Sequence, residues 1–148
     1  MKAVIQRVSQ ASVSVDGKVI GQIGYGYLVL LGVADGDTEK ERQLLVRKIT
    51  EMRICQDENG KTNLSLQDIG GEMLVISQFT LLADCRKGRR PSFIKAGKPD
   101  HAKKMYEEFA EDCRKVISKV ETGEFGAYMQ VSLVNDGPFT ITLDTDEL

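Results

Sequence analysis

The chain has 148 residues, 41% of them hydrophobic, enough for one core, and a domain of this size buries roughly 70% of the surface its unfolded chain exposes. A formal charge of -2 gives no overall pull toward polyanions. Three cysteines, Cys55, Cys85 and Cys113, lack CxxC or Cys/His ligand spacing, which excludes a disulfide framework and a structural zinc site and fits a reducing compartment.

From the start, Lys2 and Arg7 interrupt the apolar residues before a signal-peptide core or membrane span can form, so the expectation is a soluble, cytoplasmic chain with no membrane partner. Val4 to Val8 and Ala11 to Val15 alternate in strand fashion, and Asp16-Gly17 before Val19-Ile20 is a hairpin signal. Gly21 to Gly26 has glycines without a following helix start and reads as a bend between strands. Tyr27 to Val33 is a continuous apolar run, the pattern of a strand buried on both faces. A helix is expected from Thr38, where Thr38 and Glu41 have capping-box spacing ahead of Leu44, Leu45, Ile49 and Met52. Asp57 to Lys61 reads as an exposed turn, and Glu72 to Phe79 as a central strand.

The second long helix is expected from Pro99-Asp100, with Ala102, Met105, Tyr106, Phe109, Cys113, Val116, Ile117 and Val120 as its core stripe. Two further strands are expected over Ala127 to Val134 and Phe139 to Leu143. No linker, repeat or low-complexity tract intervenes. The chain is therefore read as one α/β domain over residues 1–148, with a mixed β-sheet and two long helices.

The common catalytic inventories are missing. His101, the only histidine, has no nucleophile elbow to serve and reads as a surface residue. No phosphate-binding glycine loop or carboxylate cluster is legible, so neither a cofactor nor a metal is called for. Ser77-Gln78-Phe79-Thr80 is different, because an apolar strand ends there in three hydrogen-bonding side chains around one aromatic. Such a strand end is either a solvated loop start or a ligand floor whose backbone N–H groups form an oxyanion hole. Asn135-Asp136-Gly137-Pro138-Phe139-Thr140 reads, by composition, as a turn. Between Arg86 and Lys104 eight basic residues stand against one acid, Asp100. That segment is either a solvated charge run or a phosphate-binding face.

Taken together, the peptides Ser77-Gln78-Phe79-Thr80-Leu81 and Asn135 to Thr140 resemble the D-aminoacyl-tRNA deacylases. The opening Met1 to Val8, the loop Arg86 to Phe93 and the stretch Thr122 to Met129 extend the likeness over nearly the whole chain. The resemblance implies a homodimeric hydrolase that clears D-amino acids, and mischarged glycine, from tRNA while sparing L-aminoacyl-tRNA. It implies Ser77, Gln78, Phe79 and Thr80 as the catalytic floor. It also implies a cis Gly137-Pro138 bond inserted across the dimer interface to read chirality, and Arg7 holding that loop. Met129 is read either as pocket lining or as core, and Arg7 also as an interface ion pair. Arg86, Lys87, Arg89 and Arg90 would meet the phosphates of the aminoacylated tRNA. The alternative function is a non-catalytic aminoacyl-tRNA-binding module.

Overall fold

The computed structural model describes residues 1–148. The chain opens with β1 (Lys2–Val15), which turns into β2 (Lys18–Ile23) through Asp16 and Gly17, at φ 50° and 76°. Positive φ at both central residues is the type I′ geometry, whose twist matches that of the strands it joins. After a bend at Gly24 and Tyr25 comes β3 (Gly26–Gly32). β1 therefore pairs antiparallel with β3 through its first half and with β2 through its second half.

The helix α1 (Glu39–Glu51) starts on the expected capping box: Lys40 N–H donates to Thr38 Oγ1 at 3.3 Å and Thr38 N–H to Glu41 Oε2 at 2.8 Å. A small hairpin, β4 (Cys55–Gln56) and β5 (Thr62–Leu64), frames the turn expected at Asp57 to Lys61. β6 (Glu72–Ser77) then lies parallel to β3. The second helix, α2 (Pro99–Arg114), with Pro99 in its first turn, carries the chain over to β7 (Val120–Thr122), parallel to β6. Last comes β8 (Gln130–Asp144), antiparallel to β1 along its other edge. The result is a mixed sheet with β8 at one edge, β7 at the other and both helices on one face.

Alternation sorts the central strands onto two faces. Ile5, Tyr27, Val29, Leu31, Met73 and Val75 face the helices and pack with Leu45, Ile49, Met105 and Phe109. Val8, Val13, Leu28, Leu74 and Ile76 form a smaller cluster on the opposite face, covered by the half-buried Met129, Val131 and Leu133. Between the helices, the Arg42 guanidinium joins Glu108 and Asp112, its Nε donating to Asp112 Oδ2 at 2.9 Å. Burial of Phe109 alone is worth enough that truncation to alanine would cost about 3–5 kcal/mol.

Four expectations are corrected. The two strands expected over Ala127 to Val134 and Phe139 to Leu143 are one, beginning at Gln130. The Asn135 to Thr140 peptide is not a reversal, because the chain leaves β1 and rejoins the same strand in the same direction. α2 ends at Arg114; Val116 is exposed, and Val120 belongs to β7. β-Branched residues favour extended backbone, and a spacing of three or four cannot separate a helix from a chain folding back on its own core. His101 is half-buried, with Nε2 inaccessible and unpartnered, because α2 docks by its first turn, where Ala102 is buried.

Candidate functional site

A cleft of about 680 Å³ opens where β6 ends. Ser77, Gln78 and Phe79 form one wall, Met129 and Tyr128 line it from the segment before β8, and Phe93 and Lys98 close it from the loop before α2. Gln78 N–H donates to the Leu31 carbonyl at 2.8 Å, extending the strand pairing by one residue before the chain curls into a 3₁₀ turn, Phe79–Leu82. Within that turn Leu81 N–H donates to Gln78 O at 3.2 Å and Ala83 N–H to Thr80 O at 3.1 Å. The N–H groups of Phe79 and Thr80 have no acceptor in the chain. They are the free donors that every helix start leaves, and here they stand consecutively beside a cleft.

Phe79 is 54% exposed and meets Phe93 edge to face, with ring centroids 5.0 Å apart. Gln78 Nε2 donates to Thr80 Oγ1, which ties the two polar side chains together across the start of the turn. Thr80 is exposed and lies outside the cleft lining. No Asp, Glu or His lines the cleft, so no side chain there is placed as a general base. Thiol chemistry is also remote: burial pushes Cys113 up to about 12 and raises Cys55, and neither reaches the cleft.

A second polar construction lies on β8. Gln6 pairs with Thr140 and Val8 with Asn135, so the single residue Arg7 faces an excursion of four, Asp136 to Phe139. Asn135 closes its base: Phe139 N–H donates to Asn135 Oδ1 at 2.6 Å, and Asn135 Nδ2 donates to Thr140 Oγ1 at 2.9 Å. Arg7, only 4% exposed, fills it from beneath, donating from Nε to Asp136 O at 3.0 Å and from Nη1 to Ile54 O at 2.7 Å. Its guanidinium carbon lies 4.7 Å from the centre of the Phe139 ring, a cation–π contact. At the tip, the Gly137-Pro138 bond is cis and Gly137 has φ 146°. A Cβ on Gly137 would come within 2.7 Å of Phe139 N. Both residues are exposed, and neither lines the cleft of their own chain.

The basic loop hangs from a two-residue bridge, with Asp84 N–H donating to Ser92 O at 2.8 Å and Ser92 N–H to Asp84 O at 2.9 Å. Arg86 turns back on Asp84, Nε to Oδ1 at 2.9 Å, and this pairing holds the Asp84 carboxyl well below the usual carboxylate range. Lys87, Arg89 and Arg90 are exposed and unpaired. No group of three or more His, Cys, Asp or Glu side chains is arranged to hold a metal ion, and no helix is long and apolar enough to cross a membrane.

Residues 4–144 match the family described as D-Tyr-tRNA(Tyr) deacylase. The chain belongs to that family. A D-aminoacyl-tRNA deacylase of Thermosipho africanus (strain TCF52B) is 59% identical over 148 residues, covering 100% of this chain and 99% of that one. One from Desulfatibacillum aliphaticivorans is 57% identical, covering 98% and 99%. A solved structure of the c-Myc DNA Unwinding Element Binding Protein superimposes with TM-score 0.92 at 46% identity, over 97% of this chain and 98% of that one. A probable eukaryotic D-amino acid tRNA deacylase shares the fold at TM-score 0.85 and 17% identity, over 96% and 97%.

In this member of the family, Ser77, Gln78, Phe79 and Met129 come together at one cleft, with Thr80 just outside it. Arg7, Gly137 and Pro138 form a separate group on β8. Sequence reasoning passed over Phe93, Lys98 and Tyr128 as site residues. Phe93 sits in the peptide Arg86 to Phe93, and Tyr128, 90% exposed, in Thr122 to Met129. Both peptides were signals of family alone, since a lone aromatic reads equally well as core.

Proposed function

We infer that this chain is a D-aminoacyl-tRNA deacylase, hydrolysing the ester between a D-amino acid and the terminal ribose to release free amino acid and tRNA. One observation carries the reading. In a chain that matches deacylases from end to end, two consecutive N–H groups, Phe79 and Thr80, are left unpaired where β6 runs into the 3₁₀ turn, and Phe79 lines a largely apolar cleft. Donors fixed before the reaction stabilise the oxyanion of a tetrahedral intermediate without reorganising, commonly by about 3–4 kcal/mol for a single donor.

The ester is an activated acyl group, so positioning and oxyanion stabilisation suffice without a strong base. Water attacks the carbonyl carbon, assisted by the neighbouring ribose 2′-hydroxyl. Charge collects on the carbonyl oxygen against the Phe79 and Thr80 donors, and the ribose oxygen leaves with a proton. Thr80 orients and donates; it is not the nucleophile, because nothing beside it would activate its hydroxyl. Ser77, Gln78 and Met129 shape the floor. No cofactor takes part.

Chirality is read by exclusion. The protein acts as a homodimer in which Gly137 and Pro138 of the partner subunit enter each cleft and present their carbonyl oxygens to the α-carbon. An L side chain collides there; a D side chain and glycine do not. Two features support this arrangement. The excursion is braced by Arg7 and Asn135 yet lines no part of its own cleft, and β8 leaves its outer edge unpaired. Lys87, Arg89 and Arg90 hold tRNA phosphates in the cytoplasm, with Arg86 already compensated by Asp84.

The test is a single-turnover comparison of D-tyrosyl-tRNA ending in adenosine with one ending in 2′-deoxyadenosine. Hydrolysis of the first is expected, with a loss of roughly a hundredfold or more on the second, the range of general acid–base assistance. Binding of both without turnover would make the chain a non-catalytic aminoacyl-tRNA-binding module.

A further inference from the structure

One charged group of the cleft is left without a role by the reaction just described. Among the residues that line the cleft, Lys98 alone carries a charge. Its backbone is pinned: Gly97 N–H donates to Val33 O at 2.8 Å, Ala102 N–H donates to the Lys98 carbonyl at 2.9 Å, and Ala34 bridges Ala96. Its side chain is exposed and pairs with no carboxylate, Asp100 of the following turn included. Lys98 also occupies the N-cap position of α2, 16 residues long, without a side-chain capping bond, and the partial positive charge at a helix start adds to its own in the same sense.

A cation beside an apolar cleft loses hydration when a ligand closes over it, and that loss is offset only if the ligand brings an anion. The ligand of the proposed reaction carries two charges near its reactive end. One is the α-ammonium of the amino acid, which repels Lys98. The other is the 5′-phosphate of the terminal adenosine.

We propose that Lys98 binds the 5′-phosphate of the terminal nucleotide, so that the cleft takes a 3′-aminoacyl nucleotide in preference to the corresponding nucleoside. The assignment rests on the deacylase reading and deepens it. Anchoring the phosphate at the α2 end leaves the ester to reach the free N–H groups of Phe79 and Thr80 and keeps the ammonium away from Lys98. Unlike Lys87, Arg89 and Arg90, which would meet phosphates further along the tRNA, Lys98 acts on a single nucleotide.

The experiment uses a stable amide mimic, 3′-(D-tyrosylamino)-3′-deoxyadenosine, with and without a 5′-phosphate, titrated calorimetrically into the wild-type protein and into Lys98→Met and Lys98→Arg. D-tyrosyl-tRNA hydrolysis is measured on the same preparations. The wild type should bind the phosphorylated mimic roughly tenfold or more tightly, as one charge-assisted hydrogen bond provides. Lys98→Met should bind both mimics alike, and Lys98→Arg should keep most of the preference. Equal affinities in the wild type, or a preference that survives in Lys98→Met, would overturn the proposal. So would failure of both mimics to bind. In that last case, hydrolysis of D-tyrosyl-tRNA by the wild type means that only the Lys98 assignment falls, and its absence means that the deacylase reading falls with it.

Discussion

At the scale of single residues, the site is made of backbone more than of side chains. The N–H groups of Phe79 and Thr80 and the carbonyls of Gly137 and Pro138 carry the proposed chemistry, so side-chain identity matters mainly for holding the backbone in place. Gly137 is the sharpest case. Its φ of 146° is a conformation that L side chains rarely adopt, and a Cβ would press on Phe139 N. Gly137→Ala should therefore displace the tip of the excursion and reduce discrimination between D- and L-tyrosyl-tRNA by roughly tenfold or more, a steric term of about 1–3 kcal/mol. The melting temperature should also fall, since alanine is strained at that φ, while the exposed position of the tip leaves the protein folded. An unchanged D/L ratio would remove Gly137 from the site. Composition alone made Asn135 to Thr140 look like a turn; only the pairing with β1 shows four residues standing opposite Arg7, and long-range register of that kind has no local signature.

At the scale of elements, what was legible followed from local physics. The Asp16-Gly17 hairpin, the Thr38 capping box and the double-sided burial of β3 each rest on rules confined to a few residues. The end of α2 and the existence of β7 do not, because Ile117 and Val120 are buried by contacts with the sheet rather than by continuing the helix. The basic loop illustrates the same limit: its charges are visible in the sequence, but the pairing of Arg86 with Asp84 is not. Replacing both Arg89 and Arg90 by Ala should weaken tRNA binding and reduce the slope of log affinity against log salt by about 1 for each phosphate no longer neutralised. An identical salt slope would return the loop to a solvated surface. The bend between β2 and β3 gives a pH prediction. A hydrogen bond from Gly24 N–H at 2.7 Å holds the Glu72 carboxyl below its ordinary range, with Lys119 adding to it against the opposing effect of burial. A depressed pKa contributes stability above the unfolded-state value, about 4.3 for glutamate, and loses it as pH falls through the folded-state value. Thermal melts should show a stability difference between wild type and Glu72→Gln at neutral pH that shrinks below about pH 4; a difference independent of pH would contradict the assignment.

At the scale of the whole molecule, β8 presents a 15-residue edge with no partner strand, with Val134 exposed within it and Tyr128 exposed just before it. Long unpaired edges invite association, and the proposed dimer gives this one an occupant while completing each cleft with the partner's excursion. Sedimentation should find a particle of twice 16.4 kDa, and Val134→Lys should yield monomers that have lost activity together with the dimer. A fully active monomer would separate catalysis from assembly. Stereospecific, metal-free deacylation is decided by a time course on matched D-tyrosyl-, L-tyrosyl- and glycyl-tRNA, with and without a chelator. Rapid release from the D-ester and the glycyl ester is expected, with the L-ester spared and the chelator without effect. Equal cleavage of the D- and L-esters, or none of either, would contradict stereospecific deacylation.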